Sequence, residues 1–344
     1  MTPRMFLAGV NLSHWFAQAP PESREDLSWD ETWINDTDLR LIAAAGFDHV
    51  RLPFDLNAMR SGPDSSLERA VARVDRAVRR ALSVGLGVVL DSHPQDPVKH
   101  ALRDFDDAVG KYCRELRRLA QSLNDAPPEL LVWEPLNEPS FWDRDRWQVV
   151  QSRLIAELDD GASRTILACG DGYSSINDLV ATPVSHRERL LHTFHLYDPM
   201  VISHQGAPWS PEWLRDLRGL SYPVEEPNAL QLARYLTGEA RERVEEYART
   251  GWNDVAYARY VDTAVRWAGG APLMCSEFGI HPRHASREMR ARWIADVTKA
   301  FRNAGIGWSI WDYAGDFAIA TGPIGQRSLD PMLVGAMRVT ARDD

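Results

Sequence analysis

The sequence predicts an α/β protein that folds as a single (β/α)8 barrel, the TIM-barrel architecture, over residues 1–344. Short apolar runs rich in β-branched residues alternate with amphipathic helical segments, and the helical segments commonly end at a glycine. Eight such runs can be counted, which fits a closed barrel better than an open sheet. An open nucleotide-binding sheet would also carry a glycine-rich turn after its first strand, and the segment from Gly9 to Trp15 does not have that pattern.

The predicted elements can be justified in chain order. The eight strands are expected near residues 5–11, 47–53, 86–92, 130–136, 165–169, 190–196, 272–277 and 306–312. A helix after strand two starts with a capping box of Ser65 and Glu68, shows one apolar face and stops at Gly85. At the C-terminus Asp330 is expected to cap a last helix, with Pro331 at its favoured first position.

One segment is too long to be a plain connection between strands. Residues 206–270 separate strands six and seven and contain helix-forming sequence over Leu230–Arg249 and Asp254–Trp267. We therefore expect a helical insertion over the barrel mouth, within the same domain.

Composition excludes several kinds of partner. The chain has 39 Lys and Arg against 49 Asp and Glu, a formal net charge of −10, and no basic run stands out. Nucleic acids and anionic membrane surfaces need clustered cations, so neither partner is expected. No apolar run approaches the ~18–20 residues that a membrane-spanning helix needs. The 3 cysteines form no CxxC pattern and the 10 histidines no metal-ligand spacing such as HExxH, so no metal and no cofactor is expected.

The N-terminal segment is predicted to be the first strand. Its apolar part is too short for a signal peptide, and no small-residue cleavage site follows. We therefore expect a cytoplasmic protein, or a secreted or periplasmic one if the natural gene product carries a leader. The sequence leaves the oligomeric state open.

The 13 tryptophans are an unusual feature of the composition. A tryptophan offers a flat apolar face and one polar donor, which suits ligands such as sugar rings, although many tryptophans simply fill a core. Three are candidate platforms for a sugar: Trp15 after strand one, Trp142 after strand four and Trp209 in the insertion.

Polar residues gather at the carboxyl ends of the predicted strands, where (β/α)8 barrels place their active sites. Glu138 closes strand four and Glu277 closes strand seven, across the mouth from each other, so both side chains can converge on one point. Paired carboxyls suit glycosidic bond cleavage, in which one acid protonates the leaving oxygen and the other attacks or activates water. Asn137 lies beside Glu138, and Arg51 and Tyr197 are available to hold Glu277.

These residues lie in motifs that resemble glycoside hydrolase family 5, the cellulase family. Trp133-Glu-Pro-Leu-Asn-Glu-Pro139 resembles the Asn-Glu-Pro signature of that family, and Ser276-Glu-Phe-Gly279 resembles its second signature. Further matching segments follow in family order over almost the whole chain, namely Val50–Phe54, Leu90–His93, His195–Tyr197 and Trp308–Trp311.

The resemblance implies a retaining mechanism and a role for each matching residue. Glu138 would be the acid/base and Glu277 the nucleophile, with Arg51 and Tyr197 orienting the nucleophile. Asn137 would hold the sugar 2-hydroxyl. The subsite where the bond breaks would be lined by His93, His195 and Trp311, the last as its stacking floor.

Two electrostatic expectations follow from this arrangement. The negative charge of Glu277 should raise the pKa of Glu138, which gives a bell-shaped pH profile on the acidic side of neutral. Glu134 shares strand parity with Glu138 and is interpreted as a buried partner for Arg51 and not as a catalytic group.

The predicted function is endo hydrolysis of a β-1,4-linked glucan. Alternatives within the class are a β-mannanase, an exo-acting β-glucosidase, and a hydrolase of another exopolysaccharide or a glycolipid. One alternative from another class is a metal-dependent barrel enzyme, such as a sugar isomerase, with Glu138, His195 and Glu277 as ligands; it would be sensitive to chelators. A non-catalytic carbohydrate-binding protein is a further alternative, against which the two intact carboxyls speak.

Overall fold

A computed structural model of the chain describes residues 6–23, 26–60, 66–159 and 164–339. Eight parallel strands close into a barrel in chain order, with β1 paired to both β2 and β8. The barrel strands are β1 (Ala8–Asn11), β2 (His49–Phe54), β3 (Gly87–Ser92), β4 (Leu131–Glu134), β5 (Thr165–Ala168), β6 (Leu190–Leu196), β7 (Leu273–Phe278) and β8 (Gly307–Ile310). The prediction of a (β/α)8 barrel is confirmed, and each observed strand overlaps its predicted run.

The helices surround this barrel. They are α1 (Leu27–Thr32), α2 (Asp36–Ala44), α3 (Leu67–Ser83), α4 (Asp96–Asp104), α5 (Asp106–Ser122), α6 (Arg144–Leu158), α7 (Ile176–Leu179), α8 (Met200–Ser203), α9 (Glu212–Arg215), α10 (Glu226–Ala233), α11 (Gly238–Thr250), α12 (Asp254–Ala268), α13 (Arg287–Ala304) and α14 (Pro331–Met337). A short antiparallel pair, β9 (Ala320–Thr321) and β10 (Ser328–Leu329), follows the barrel. Among the described residues, no helix has both the length and the apolar content needed to cross a membrane.

Helix ends follow the predicted local chemistry, with one difference. Asp330 caps α14 by accepting hydrogen bonds from two backbone N–H groups, and Pro331 takes the first helical position, as predicted. The cap of α3 is Ser66, whose hydroxyl accepts a hydrogen bond from the backbone N–H of Arg69. The predicted cap Ser65 lies outside the described residues.

The inside of the barrel changes from apolar to polar along the strands. A small cluster of buried apolar side chains fills its lower part: Phe6, Val89, Val132, Leu167, Leu191 and Met274. Side chains alternate between the two faces of a strand, so the residue two positions further along points inward as well. On β3, β4, β6 and β7 those next inward residues are polar and buried, namely Asp91, Glu134, Thr193 and Ser276, whereas just after β5 the corresponding residue is the buried Cys169. The apolar layer thus supports a polar layer at the carboxyl ends of the strands.

The predicted insertion is divided differently in the structure. The expected helix over Leu230–Arg249 is two helices, α10 and α11, because the chain leaves the helical conformation between Ala233 and Gly238. The following helix α12 packs against α7 and α13, so it belongs to the outer ring of the barrel and is not part of an added lid. The start of the segment does lie near the mouth, where the Trp209 ring is 6.0 Å from that of Phe317 in the loop after β8.

Candidate active site

Arg51, on β2, is the centre of the polar layer. Its fully buried guanidinium contacts side-chain oxygens of five residues, which are Asn11, Asp91, Glu134, Asn137 and Glu277. The shortest contacts, both 2.6 Å, join Nε to Oε2 of Glu134 and Nη1 to Oε1 of Glu277. Burial alone would lower the pKa of Arg51, but the charges of its carboxylate partners hold that pKa well above its usual value. The interpretation of Glu134 as a buried partner of Arg51 is confirmed.

Glu277 is held at both carboxylate oxygens. Oε1 accepts from Arg51, and Oε2 accepts from the Tyr197 hydroxyl at 2.9 Å. Burial, helped by the nearby charge of Glu277, raises the pKa of Tyr197 well above its usual value, so the phenol keeps its proton and donates. The carboxylate of Glu277 is therefore fixed in orientation, and its charge is opposed by the guanidinium.

A bulge in β7 brings two consecutive residues to the site. Phe194 of β6 is opposite Cys275, whereas the next residue, His195, is opposite Glu277, so Ser276 is the extra residue. Bulges re-aim side chains and are over-represented next to active sites. Here the bulge lets Ser276 bond to His195 from below while Glu277 lies beside the same imidazole.

His195 lies between the two carboxyl groups. Its Nδ1 is 2.8 Å from Oε1 of Glu138 and 3.6 Å from Oε2 of Glu277. One oxygen of Glu138, one of Glu277 and one nitrogen of His195 all lie within 4.8 Å of one another. Glu138 follows β4 in a left-handed backbone conformation (φ 43°). The side chain of Glu138 is more exposed than that of Glu277 (24% against 5%), so it is the more accessible carboxyl.

The hydrogen bonds of His195 indicate a doubly protonated ring. Its Nε2 is 3.1 Å from Oγ of Ser276, and that hydroxyl accepts from Thr193 and donates to Oε1 of Glu134. Because the Ser276 proton is directed at Glu134, Nε2 must donate, and Nδ1 donates to Glu138. Burial would lower the pKa of His195, but the charge of Glu277, the neighbouring carboxylate of Glu134 and the hydrogen bond to Glu138 raise it to about 10.

This cation reverses one expectation from the sequence. Burial would raise the pKa of Glu138, but the hydrogen bond and charge of His195 lower that pKa to about 2. The expectation that the charge of Glu277 raises the pKa of Glu138 is wrong here. The imidazolium of His195 lies between the two carboxyl groups, and its attraction for the Glu138 carboxylate outweighs the repulsion by Glu277. Glu138 and His195 therefore hold a shared proton that rests on the imidazole.

His93 and Asn137 form a second hydrogen-bonded pair. The carbonyl oxygen of Asn137 accepts from Arg51, so its amide nitrogen donates to Nε2 of His93 at 3.2 Å. The Nδ1–H of His93 then donates to Asp91 at 2.8 Å. Burial chiefly lowers the pKa of His93 to about 4, so the ring is neutral, in agreement with this tautomer. Asn137 keeps one amide N–H for another acceptor.

The tryptophan candidates divide into three cases. Trp311 stacks on His93 with ring centroids 5.8 Å apart and has only 7% of its surface exposed, so it can offer only a small part of its ring. Trp142 and Trp209 are 70% and 51% exposed, on the loops after β4 and β6. The candidate Trp15 is wrong: it is 1% exposed, stacks on Phe16 and donates its N–H to the carbonyl of Asp30, so its ring is part of the core.

Sequence reasoning missed several residues of the site. Thr193 and Ser276 complete the hydrogen bonds of His195, and their strand parity was the available signal. Gln18, 3.4 Å from His93, and the exposed Tyr173 carry no such signal, because only the fold brings their loops to the site.

Within the part of the chain that the structure describes, two groups of side chains have the composition of a metal site. They are Asp91, His93 and Glu277, and Glu138, His195 and Glu277. Both oxygens of Glu277 already accept hydrogen bonds, and both nitrogens of His195 donate them. The set of Glu138, His195 and Glu277 is therefore a hydrogen-bonded network in which the imidazole carries protons on both nitrogens. A metal ligand must be deprotonated, so this set does not fit a metal in this state.

The fold and this pair of carboxyl groups define the class of protein, an enzyme of the glycoside hydrolase type. The family model of cellulase, glycosyl hydrolase family 5, matches residues 10–316. The chain belongs to glycosyl hydrolase family 5.

Similar proteins agree with this assignment. Endoglucanase C of Acetivibrio thermocellus is 27% identical over 90% of this chain and 91% of its own. Cellodextrinase A of Ruminococcus flavefaciens is 25% identical over 88% and 84%. A structure of Thermotoga maritima Cel5A in complex with mannotriose superposes with a TM-score of 0.76 and 20% identity, covering 98% of both chains.

Proposed function

We propose that this protein is an endoglucanase-like hydrolase of β-1,4-linked glucans that works by double displacement. Glu277 is the nucleophile and Glu138 is the acid/base. The observation that carries the proposal is that oxygens of the two carboxyls lie within 4.8 Å of each other. Retaining glycosidases separate these groups by about 5–5.5 Å, whereas inverting enzymes need about 6.5–9.5 Å to admit a water.

The first step breaks the glycosidic bond. A carboxylate oxygen of Glu277 attacks the anomeric carbon while Glu138 delivers a proton to the leaving oxygen. That proton comes from the shared pair: it passes from Nδ1 of His195 to Oε1 of Glu138, over 2.8 Å, as the leaving oxygen gains charge. The products are a glycosyl ester on Glu277, a neutral His195 and the departing sugar.

The second step hydrolyses the ester. Water attacks the anomeric carbon, and its proton goes to Glu138 and returns to His195. Glu277 leaves as the carboxylate, which Arg51 and Tyr197 again hold at both oxygens. The starting protonation state is restored, so the site needs no further proton source.

Substrate binding is assigned to the groups around this centre. In this proposal the remaining amide N–H of Asn137 binds the sugar 2-hydroxyl, and Trp311 with His93 forms the floor. Trp142 and Trp209 are exposed platforms on two different loops of the mouth. Support for a glucan comes from the endoglucanase and the cellodextrinase among the relatives.

The experiment is reducing-sugar release from carboxymethyl-cellulose, mixed-linkage glucan, glucomannan and xylan. We expect activity on the β-1,4-glucans, and a fall of at least about a thousandfold in E277Q and E138Q. The exposed Glu129 supplies the matched control E129Q, which should behave as wild type. An aryl cellobioside with a dinitrophenolate leaving group, which needs no proton, separates the roles: E138Q should form the glycosyl-enzyme and E277Q should not.

Three outcomes would redirect the proposal. Activity mainly on glucomannan would move it to a β-mannanase, and release of glucose alone would indicate exo action. Loss of activity with a chelator would favour the metal-dependent alternative. Full activity in E277Q would overturn the mechanism.

A further inference from the structure

The turn after Tyr197 links the active site to the long segment between β6 and β7. Tyr197 is the first residue beyond β6, and Asp198 and Pro199 connect it to α8, so its position depends on this turn. The Tyr197 hydroxyl lies at the end of a long side chain and donates to Glu277 at 2.9 Å. A small shift of the turn would therefore move the hydroxyl off the carboxylate of the nucleophile.

Two tyrosines of α12 bind this turn. Tyr257 donates its hydroxyl to the backbone carbonyl of Asp198, and Tyr260 donates to Oδ2 of the Asp198 carboxylate, both at 3.0 Å. Residues three apart lie on the same face of a helix, so both bonds come from one face of α12. Asp198 is therefore held at its main chain and at its side chain by the same helix.

The tyrosine that binds the main chain is itself fixed. The indole N–H of Trp293, on α13, donates to the Tyr257 hydroxyl at 2.7 Å, so the phenol proton is directed at the Asp198 carbonyl. Tyr257 is fully buried, and the Trp252 ring packs against it and against Tyr260 at centroid distances of 4.8 and 5.6 Å. The two hydroxyls thus have fixed positions relative to the outer ring of helices.

The main chain of Tyr197 is bound as well. The Ser203 hydroxyl, on α8, donates to the Tyr197 carbonyl, and the Ser203 carbonyl accepts from the N–H of His281 at 2.8 Å. Two consecutive carbonyls, those of Tyr197 and Asp198, are thus each bound by a hydroxyl of a different helix. These bonds fix the backbone on both sides of the peptide bond that joins the two residues.

The carboxylate of Asp198 depends on Tyr260. Burial raises the pKa of Asp198, helped by the charges of Asp178 and Glu246, whereas the hydrogen bond from Tyr260 lowers it. A poorly solvated carboxylate is costly unless it is hydrogen-bonded. Loss of the Tyr260 hydroxyl should therefore release the Asp198 side chain from its position and move the turn.

We propose that Asp198 is a positioning residue for the nucleophile: α12 holds Asp198, and Asp198 holds the Tyr197 hydroxyl on Glu277. The segment between β6 and β7 then contributes to catalysis through its last helix, besides forming part of the barrel wall. The inference rests on the proposed hydrolase function, in which Glu277 attacks the anomeric carbon. Asp198 acts through Tyr197 and does not touch the reacting atoms.

The test measures the step in which Glu277 attacks. Single-turnover release of dinitrophenolate from the aryl cellobioside, with enzyme in excess, needs no proton from Glu138 and gives the rate constant and the half-saturating concentration separately. We expect Y260F and D198A each to lower the rate constant about tenfold, with half-saturation within about twofold of wild type, because small displacements at the reacting atoms are costly. D198N keeps an oxygen acceptor for Tyr260 and should recover most of the rate.

A double-mutant cycle separates this role from a purely structural one. Y197F removes the hydroxyl that Asp198 positions, so Y260F should lose its effect on the rate constant when it is added to Y197F. If the loss in the double mutant equalled the product of the two single losses, Tyr260 would act by another route and the inference would be overturned. Wild-type rates in both Y260F and D198A would overturn it as well.

Tyr222 supplies the matched control. It lies in the same segment and, like Tyr260, donates its hydroxyl to a carboxylate at 3.0 Å, but that carboxylate is Asp296 on α13 and not the turn. Y222F should lower the thermal unfolding midpoint about as much as Y260F and keep the wild-type rate constant. Equal falls of the rate constant in Y222F and Y260F would contradict the inference. A wild type that releases no dinitrophenolate would instead contradict the proposed function.

Discussion

Arg51 is the residue on which the geometry of the site depends. Its guanidinium is fully buried and contacts five side chains from four other strands or their ends. A planar fork with five donors can bond to all of them at once, which the single ammonium of lysine cannot do. The nucleophile and the amide of Asn137 are therefore positioned by one group.

Two substitutions of Arg51 should separate the effect of its charge on stability from the effect of its planar fork on catalysis. R51M leaves Glu134 and Glu277 without their cation, and we expect a loss of about 3–5 kcal/mol in the free energy of unfolding. R51K keeps the charge but not the fork, so we expect a smaller loss of stability and a fall of at least about a hundredfold in kcat. Denaturant titration and steady-state kinetics measure the two effects.

Arg79 provides the control for this comparison. It also contacts two carboxylates, Asp75 and Asp125, but its side chain is 43% exposed. R79M should change the free energy of unfolding by no more than about 1 kcal/mol. Similar losses in R51M and R79M would contradict the role given to Arg51.

The pair of Glu138 and His195 determines the pH dependence. The His195 pKa, raised to about 10, keeps the shared proton bound well above neutral pH. In H195Q the proton must be held by Glu138 alone, so the descending limb of kcat/KM against pH should move to lower pH. The profile is measured on a neutral soluble glucan, with H100Q at the exposed His100 as control. An unmoved descending limb would show that His195 does not share the catalytic proton.

At the scale of elements, the strands were predictable because their signal is local. Gly85 and Gly305 end helices with positive φ, and an apolar strand follows each of them. Glu138 and Glu277 could be found for the same reason, since each follows such a strand. The break between α10 and α11 was missed because the apolar spacing continues through Tyr235 and Leu236.

The parts of the site that depend on tertiary contact could not be predicted. Trp15 is next to the mouth in sequence, yet its ring turns into the core, stacks on Phe16 and bonds to Asp30. The imidazolium state of His195 follows from Ser276 and Glu134, which reach it through a bulge and from another strand. No single segment carries that information, so the pKa of Glu138 was expected to shift in the wrong direction.

One helix start offers a test of the local rules. The Ser66 hydroxyl accepts a hydrogen bond from the N–H of Arg69, at 3.1 Å, and caps the 17-residue helix α3. S66A should lower the free energy of unfolding by about 1 kcal/mol. S83A, at the other end of the same helix, removes only a hydroxyl that donates to the carbonyl of Arg80 and should cost less. Equal effects in a denaturant titration would contradict the capping role.

At the scale of the whole molecule, the charges that serve catalysis also set how stability depends on pH. The pKa values of Glu134 and Glu138 are lowered from 4.5 to about 2, in each case against the effect of burial and through the charges and hydrogen bonds of Arg51 or His195. A lowered carboxyl pKa gives stability that is present above 4.5 and lost as the pH falls through about 2. The raised pKa of His195 gives stability that is present below 6.5 and lost as the pH rises through about 10.

These signs place the greatest stabilisation by the site between pH 4.5 and 6.5. Burial raises the pKa of Asp312 from 3.8 to about 7. The protein therefore loses stability at this residue as the pH rises from 3.8 through about 7, so the acidic part of the window is favoured.

E134Q tests this dependence on pH, because it removes a buried charge that bonds to Arg51 and, through Ser276, to His195. We expect its unfolding midpoint to be lower than wild type at pH 6 and to change less between pH 4.5 and 2. Thermal unfolding measured across pH 2–10 checks this, with E129Q as the exposed control. If the unfolding midpoint of E134Q fell between pH 4.5 and 2 as steeply as that of the wild type, acid unfolding would start outside the site.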